Sequence, residues 1–432
     1  MEYETVIGLE VHAQLLTKSK MYCGCSADYA SAPPNTHVCP VCLGLPGVLP
    51  VINKQAIEFT LMTGLALHCE IPRYTKFDRK NYHYPDLMKG YQISQAYAPI
   101  SGKGYIDIEV GGTSRRIGIN HIHLEEDVAK LQHRSAFGEE YSLVDVNRAG
   151  CPLMEIVSEP DMRSPEEARQ YLVKLRGILQ FLGVSTGNME EGSFRCDANI
   201  SIRPAGTKEL GPKVEVKNLN SFKAVFLAME YEEKRQRKAV AEGIKLVQET
   251  RGWLDAEGKT VTQRTKEYAH DYRYFPEPDL PPVAIGRDWV ENTRARLPEL
   301  PEAKRDRFIS EYGLTPYDAG LITSSRATAE YYEEAVKDAG DVTPKEIANW
   351  LNGEVSRIIN ANNIDIEAFR EKVSPNAFTG LIRSTHGQIN AATAKTVLEQ
   401  MFSRGESAGE IIRKSGVSQI SDTGELEKIV EE

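Results

Sequence analysis

The sequence of 432 residues lacks the features of membrane and exported proteins. No run of apolar residues approaches the length of about 18 that a membrane-spanning helix requires. The opening residues, MEYETVIGLEV, do not place an apolar stretch after a basic one, as a signal peptide does. We therefore expect a cytoplasmic protein that does not bind membranes.

An excess of positive charge is also missing, since 62 acidic residues outnumber 52 basic ones and the net charge is −10. This balance argues against broad, nonspecific binding of nucleic acids, although a local basic patch would still be compatible with it. Internal repeats and long low-complexity tracts are missing too. The length and the 41% of hydrophobic residues predict two or three globular domains.

Cysteine is scarce, with seven residues, but four of them lie close together in the sequence. Cys23 and Cys25 form a Cys-x-Cys pair, and Cys39 and Cys42 follow as a Cys-x2-Cys pair. Two close pairs of thiolates are typical of a structural zinc site with tetrahedral sulfur coordination. Disulfides are the poorer explanation in a reducing compartment, and free or redox-active thiols are the remaining alternative.

Five segments place polar or charged residues on every second position. They are VIGLEVHAQL (6–15), HIHLEED (121–127), PLMEIV (152–157), RCDANISIR (195–203) and KVEVK (213–217). Read as strands, they have one apolar face and one face of carboxylate, histidine, arginine and lysine side chains. If the strands share one sheet, the polar face could hold a divalent cation and a polyphosphate, because carboxylates suit Mg²⁺. The alternative is a solvated face, which antiparallel sheets often have for no special reason.

The segment FDRKNYHYPDLMKGYQISQ, residues 77–95, has many polar and aromatic side chains and few apolar ones. Such a segment cannot form a core by itself and is typical of a binding loop. Its Arg79 and Lys80 could contact phosphates. An exposed loop with incidental tyrosines is the alternative interpretation.

Two other positions are candidates for contacts with phosphate. In NMEEGSFRCDANISIRP, residues 188–204, the backbone amides around Ser193 could bind a phosphate, although the segment is not a Walker A sequence. Lys217 lies on the same strand face as Glu215 and could neutralise a transferring phosphoryl group. A salt bridge between Lys217 and a carboxylate of the sheet explains the residue equally well.

Helix signals fall between and after these strands. A helix begins at Ser164, where Glu167 completes a capping box, and ends at Gly183. A second helix runs from residue 221 to about 242, and its later half, EYEEKRQRK, is expected to be exposed. After about residue 290 the alternation gives way to helical patterns.

Long motifs in these segments resemble the B-subunit family of the aspartyl/glutamyl-tRNA amidotransferases. They are YETVIGLEVHAQL, FDRKNYHYPDLMKGYQISQ, LMEIVSEPDMRSPEEA, GNMEEGSFRCDANISIRP, GPKVEVKNLNSFKAV and AHDYRYFPEPDLPP. The resemblance implies an α+β fold, in which an antiparallel-sheet catalytic domain similar to the glutamine synthetase fold precedes an all-helical domain and a partial helical tail. The implied boundaries are 1–290 for the catalytic (cradle) domain with the cysteine cluster, 291–405 for the helical domain and 406–432 for the tail.

The family's tail domain grips tRNA and extends some tens of residues further than this sequence. We therefore expect a truncated tail, with tRNA binding through it in doubt.

The resemblance also implies a two-step reaction. The side-chain carboxylate of glutamate or aspartate mischarged on tRNA(Gln) or tRNA(Asn) is phosphorylated by ATP, and ammonia then displaces the phosphate. The ammonia comes from glutamine hydrolysed in a partner A subunit, and a small C subunit helps to hold the complex together as a heterotrimer. ATP, Mg²⁺ and structural Zn²⁺ are the implied cofactors.

Matching the motifs residue by residue places Glu10, His12, Glu125 and Glu155 at the catalytic and magnesium centre. Asp197 is a further candidate ligand of the magnesium ion. Glu125 is alternatively a guard at the ammonia exit, because a carboxylate can take a proton from ammonium.

The phosphate contacts implied by the same matching are Arg79, Lys80, Ser193, Arg195 and Lys217. The zinc-type cysteines occur in some members of the family and not in others.

Two competing hypotheses belong to other functional classes. A tRNA-docking scaffold would have all chemistry in other subunits, but it would need no cluster of carboxylates facing one cavity. A free-standing ligase acting on a free amino acid would need no added helical domain.

Overall fold

The computed structural model describes residues 2–136, 138–265 and 271–415. The chain divides into two compact units, Met1–Pro298 and Glu299–Glu432. The first mixes strands and helices around a large sheet, and the described part of the second is helical. The expected mixed α+β region followed by a helical region is confirmed.

The first unit is organised around an eight-stranded sheet. From one edge to the other its strands are β13 (Lys259–Thr265), β12 (Glu249–Leu254), β11 (Val214–Leu219), β10 (Phe194–Pro204), β1 (Tyr3–Gln14), β9 (Pro152–Ser158), β6 (Thr113–Glu126) and β5 (Gly104–Val110). All neighbours are antiparallel except β11 and β12. The five segments with alternating polarity are the adjacent strands β11, β10, β1, β9 and β6, so the requirement that they share one sheet is met.

Three smaller sheets complete the strands of the described residues. They comprise β14 (Phe275–Pro276), β3 (Asp78–Asn81) and β4 (Tyr91–Ser94); β15 (Val283–Ala284) and β2 (Tyr74–Thr75); and the hairpin of β7 (Lys130–Ala136) and β8 (Glu139–Asp145). The proline-rich segment 271–283 is extended only in part, because residues 278–280 form a turn and Arg273 has a φ of +45°.

Helices cover the apolar side of the large sheet, where Ile7, Leu9 and Val11 are buried. The helices of the first unit are α1 (Lys54–Ala66), α2 (Pro165–Leu182), α3 (Phe222–Ala241) and α4 (Arg287–Ala295). α2 and α3 pack against each other and against the strands. The polar face of the sheet lies on the side opposite to these helices.

Helix α2 begins and ends where the sequence predicts, but its capping box is only half formed. The Ser164 hydroxyl accepts a hydrogen bond from the Glu167 N–H, and Gly183 ends the helix in the left-handed conformation. The Glu167 carboxylate, however, accepts from the N–H of Arg163 at 2.7 Å and from the guanidinium of Arg115 on β6 at 2.7 Å. The tertiary ion pair draws this carboxylate away from the Ser164 backbone that the capping box requires.

The expectation that the later half of α3 is exposed is met at Lys234, Arg237 and Lys238 but is wrong at Glu232 and Gln236, which are fully buried. They continue the buried stripe of Met229 at helical spacing. The Glu232 carboxylate lies 2.8 Å from Arg235 Nη2 and 3.1 Å from Nε of Arg251 on β12. The buried carboxylate thus joins α3 to β12, the strand next to the edge of the sheet.

We expect Glu232→Ala to lower the free energy of unfolding of the first unit by about 3 kcal/mol, because it removes a buried carboxylate from Arg235 and Arg251 and leaves these half-buried arginines with Glu249 alone. Chemical denaturation of the full chain measures the loss. Glu230→Ala on the same helix is the matched control, since its pair with Lys234 is exposed and is worth about 0.5 kcal/mol or less. Equal losses in the two variants would contradict the prediction.

The second unit is built from short helices. They are α5 (Pro301–Tyr312), α6 (Pro316–Ile322), α7 (Arg326–Lys337), α8 (Pro344–Trp350), a π-helical turn (Leu351–Val355), α9 (Ser356–Asn362), α10 (Ile366–Lys372), α11 (Pro375–Ser384), α12 (Ala391–Arg404) and α13 (Ala408–Ser415). The predicted start at Thr343 has both halves of a capping box, and Gly405 ends α12 in the left-handed conformation. Residues 416–432 of the expected tail lie outside the described residues. No helix in the described part of the chain is long and apolar enough to cross a membrane.

Candidate active site

Strand register aligns side chains from four strands on the polar face of the large sheet. His12 on β1 is directly opposite Glu155 on β9 and Arg195 on β10, and Glu155 is opposite His123 on β6. Directly opposite residues of antiparallel strands point to the same face. One row across the sheet therefore carries Arg195, His12, Glu155 and His123, and Glu125 follows two positions along β6.

Three of these side chains converge on one point. His12 Nε2 lies 3.6 Å from Glu125 Oε1 and 3.3 Å from Glu155 Oε2, and these ligand atoms all lie within 4.8 Å of one another. His123 Nε2 lies 3.2 Å from the same Glu155 oxygen, so two imidazoles share one carboxylate oxygen. Glu125 is only 3% exposed.

The electrostatics of the cluster follow from burial and charge. Burial opposes a charge on His12, but the Glu155 and Glu125 carboxylates outweigh it and raise the pKa of the imidazole to about 9. Burial also opposes a charge on Glu155, yet His123 and His12 hold the pKa of this carboxyl well below its usual range. At neutral pH the cluster thus holds an ionised Glu155 beside a protonated His12, and a cation bound at the imidazole would have to displace that proton.

The cluster fits a hard divalent cation. An octahedral ion with bonds of about 2.1 Å holds adjacent ligand atoms about 3 Å apart, which is close to the distances between His12 and the two glutamates. Glu125 Oε2 is buried and has no hydrogen-bond partner among the described residues. A buried carboxylate oxygen without a partner in the protein fits a site where a bound cation would be that partner.

Glu10 and Asp197 form a second row next to this cluster, where they are directly opposite each other. Glu10 Oε1 accepts a hydrogen bond of 2.9 Å from Asn199 Nδ2, and Asp197 lies 2.6 Å from the Lys217 ammonium. Neither belongs to the tight group of His12 and its two glutamates. Lys217 also lies 3.2 Å from Glu215, so the salt bridge weighed for this lysine is present.

A cavity of about 560 Å³ opens beside Glu10. Gly8, Asn199, Ser201 and Lys213 contribute to its lining. Asn199 Oδ1 is buried and unpartnered within the described part of the chain. This amide and the cavity were missed by sequence reasoning, although the alternation of β10 does place Asn199 on the polar face.

Arg195 and Lys80 bring positive charge to the cluster. Arg195 Nη2 lies 3.1 Å from Oδ1 of Asp127, which is buried. Burial opposes a charge on Lys80. Nearby negative groups, of which Glu125 has the largest effect, nevertheless raise the pKa of this ammonium above its ordinary value. The Lys80 ammonium also lies 5.1 Å from the ring centroid of Tyr272.

Arg79 and Ser193 make their contacts elsewhere. The Arg79 guanidinium donates to both oxygens of Glu277, at 2.6 and 2.8 Å, and stacks on Tyr91. The Ser193 hydroxyl accepts from the N–H of Asn188 at 3.0 Å and so helps to shape the preceding loop. Neither side chain is brought into the tight group of His12, Glu125 and Glu155.

His123 and Asp127 are constituents of the site that the sequence-based assignment left out. The alternation of HIHLEED does place both on the same face as Glu125, so the signal was present. What the sequence did not reveal was that Glu155 pairs with both His12 and His123.

The four clustered cysteines are a second possible metal centre, because their sulfur atoms lie within 4.8 Å of one another. Tetrahedral coordination with Zn–S bonds of about 2.3 Å places sulfurs about 3.8 Å apart. The Sγ atoms of Cys39 and Cys42 are 3.9 Å apart, and all four cysteines have free thiols. The donor set and spacing therefore fit a zinc ion with four protein ligands.

The sequence is similar to known proteins along most of its length. The family described as "GatB/GatE catalytic domain" matches residues 5–291, and the one described as "GatB domain" matches residues 330–432. The B subunit of the aspartyl/glutamyl-tRNA(Asn/Gln) amidotransferase of Dehalococcoides mccartyi strain CBDB1 is 64% identical over 433 residues, which cover 98% of this chain and 88% of that protein. The B subunit of the same name from Thermomicrobium roseum is 56% identical, with 100% of this chain and 89% of that protein covered. The chain belongs to the B-subunit family of the aspartyl/glutamyl-tRNA(Asn/Gln) amidotransferases.

Proposed function

We propose that this chain is the subunit that activates and amidates the amino acid on mischarged tRNA. Its reaction converts Glu-tRNA(Gln), Asp-tRNA(Asn) or both to Gln-tRNA(Gln) or Asn-tRNA(Asn), with ATP as the phosphoryl donor. The observation that carries the proposal is the group of His12, Glu125 and Glu155 on one sheet face, in a chain of this family.

Carboxylate activation explains why these residue types stand together. A carboxylate is a poor electrophile, and its phosphorylation makes one oxygen a leaving group. Mg²⁺ held by His12, Glu125 and Glu155, with Glu10 or Asp197 in support, would offset charge on the phosphoryl group. The mostly antiparallel sheet with a polar face suits a glutamine synthetase-like catalytic domain, which performs the same type of activation.

The cations around the cluster have distinct roles in this proposal. Arg195 and Lys80 face the Glu125 region and would bind phosphate oxygens. Lys217 would leave its pair with Asp197 to contact a phosphate of ATP. Arg79 would act by ordering the segment around Lys80 through Glu277, and the amides near Ser193 remain candidate phosphate donors.

Glu125 also has the properties of a proton acceptor for ammonia. Its Oε2 is buried without a hydrogen-bond partner in the described part of the chain, and its other oxygen faces His12. Ammonia arriving from an A subunit would lose a proton as the amide bond forms. A buried delivery route would also protect the acyl phosphate from water.

The remaining parts of the chain have supporting roles in the proposal. The cysteine cluster would hold a structural Zn²⁺, because four protein ligands leave no open position for chemistry. Residues 1–290 would form the catalytic domain, residues 291–405 a helical domain and residues 406–432 the start of the tRNA-binding tail, in a cytoplasmic heterotrimer with A and C subunits.

The proposal is tested by assembling the full chain with A and C subunits and supplying glutamine, Mg²⁺, ATP and Glu-tRNA(Gln). We expect Gln-tRNA(Gln) to form and ADP to appear only when mischarged tRNA is present. ADP formation with free glutamate alone would favour a free-standing ligase. Normal amidation by a His12→Ala, Glu155→Gln double variant would favour a docking subunit with its chemistry elsewhere.

A further inference from the structure

Three consecutive buried acids, the last two residues of β6 and the residue after it, point in two directions. Glu125, Glu126 and Asp127 are 3%, 6% and 3% exposed. Because side chains alternate along a strand, Glu125 faces the candidate active site and Glu126 faces the opposite side, while Asp127 contacts Arg195 of the site. A contact that fixes Glu126 therefore also fixes the backbone that presents Glu125.

The Glu126 carboxylate is held by Lys89 and by the backbone. Its Oε1 forms an ion pair with the Lys89 ammonium and accepts a hydrogen bond of 2.9 Å from the Ile93 N–H. The side-chain amide of Gln92 donates to the Glu126 carbonyl at 2.7 Å. One short segment, residues 89–93, thus contacts both the side chain and the backbone carbonyl of Glu126.

Lys89 in turn packs against the cysteine module, defined here as residues 20–51. Gly44, in the turn after Cys42, has a φ of +67°, and a Cβ there would lie 3.1 Å from both Cα and N of Lys89. The Lys89 ammonium lies 5.7 Å from the ring centroid of Tyr22. The turn that carries Cys39 and Cys42 is therefore in direct contact with the partner of Glu126.

A second link runs through Gly150. A Cβ on this residue would lie 3.7 Å from the Cβ of Cys42 and 3.9 Å from Oε2 of Glu126. Its N–H donates to the Asp127 carbonyl at 2.8 Å, and its carbonyl accepts from the N–H of Met21 at 2.6 Å. The cysteine module and the end of β6 are thus joined on two sides.

We propose that Lys89 and Glu126 are positioning residues that couple metal filling of the cysteine module to cation affinity at His12, Glu125 and Glu155. An ordered module holds Lys89 against Glu126. If the module loses its metal and its order, Lys89 is released, and Glu126 is left as a buried carboxylate without its cationic partner, with only the Ile93 N–H to bind it. The end of β6 then shifts to relieve this cost, and Glu125 loses its place in the ligand group. The inference rests on the proposed cation site.

The test measures Mn²⁺ binding, by electron paramagnetic resonance, to the full chain assembled with A and C subunits. Binding to the Glu125→Gln assembly is subtracted to isolate this site, and bound zinc is measured in parallel. We expect Glu126→Gln to weaken Mn²⁺ binding by about 10-fold, the lower end of the range for losing an outer-shell partner, because Glu126 acts on Glu125 only through the backbone, while zinc content stays unchanged. Removing zinc with a chelator should weaken Mn²⁺ binding to the wild type by a similar factor. The same treatment should cause little further loss of Mn²⁺ binding in Glu126→Gln.

Further variants separate positioning from general damage. Lys89→Arg should retain Mn²⁺ affinity because it keeps the charge, whereas Lys89→Met should lose it. Arg116→Gln removes an exposed ion pair with Asp107 elsewhere on β6 and should have no effect. If Glu126→Gln does not fold, Lys89→Met and the zinc-depleted wild type decide the question.

Two outcomes would overturn the inference in different ways. Unchanged Mn²⁺ affinity after zinc removal and in Lys89→Met would refute the coupling while leaving the proposed function intact. Equal Mn²⁺ binding by the wild type and Glu125→Gln would refute the cation site itself, and the coupling with it.

Discussion

Replacing Glu125 with glutamine is expected to lower ATP-dependent amidation of Glu-tRNA(Gln) by about 10³-fold, while tRNA binding stays close to that of the wild type. Stabilisation of a transferring phosphoryl group by a bound metal ion is worth several kcal/mol, and about 1.4 kcal/mol corresponds to a factor of ten. The substitution keeps the size of the side chain but removes the charge that faces His12 at 3.6 Å. Amidation rates and tRNA affinity of the assembled heterotrimer provide the measurement.

The matched control is Glu139→Gln, which removes a charge from an exposed position on β8. It should leave amidation unchanged, so that an effect of net charge on tRNA binding is separated from an effect at the cluster.

Supplying ammonia directly distinguishes the two roles of Glu125. Partial recovery of amidation with ammonia would indicate that this carboxylate mainly handles the proton of ammonia, and no recovery would indicate phosphoryl transfer. Full activity of Glu125→Gln with glutamine as donor would contradict the site assignment.

The face of the sheet on which each side chain of the cluster lies could be predicted, because it depends on a local rule. Strand alternation assigns His12 to the polar face of β1 and Glu125 to that of β6 whatever the order of the strands. Convergence depends on strand order, which brings β9 between β1 and β6. Glu155 therefore contacts both His12 and His123, and no local pattern reveals this.

Charged residues with distant partners could not be predicted in the same way. Arg79 looks like a phosphate ligand in its own segment, but Glu277, 198 positions away, accepts hydrogen bonds from its Nε and Nη2. Glu232 looks exposed in a polar run, but Arg251 on a neighbouring strand makes its burial tolerable. In both cases the decisive partner comes from tertiary packing, and burial of a charge follows from that partner.

Replacing Cys42 with serine is expected to remove zinc from the chain and to lower the free energy of unfolding of the first unit by at least about 3 kcal/mol. This is only part of the roughly 10–16 kcal/mol by which zinc stabilises isolated finger peptides, because the large sheet remains. Cys42 is 7% exposed, and its sulfur is 3.9 Å from that of Cys39, so a hydroxyl there would break the tetrahedral sulfur set. Metal analysis and chemical denaturation measure the two effects.

Cys69→Ser is the matched control, because Cys69 is a buried cysteine of the same unit that lies outside the cluster. The control makes the same chemical change and should keep its zinc. Its free energy of unfolding should fall only by the cost of a hydroxyl at a buried thiol position. Chelation should then destabilise the wild type and Cys69→Ser but add nothing in Cys42→Ser. If wild-type chain purified under reducing conditions contains no zinc, and Cys42→Ser is no less stable than Cys69→Ser, the cluster is a set of free thiols. The ordering of Lys89 would then have to come from packing of the loop alone, through the close approach of Gly44.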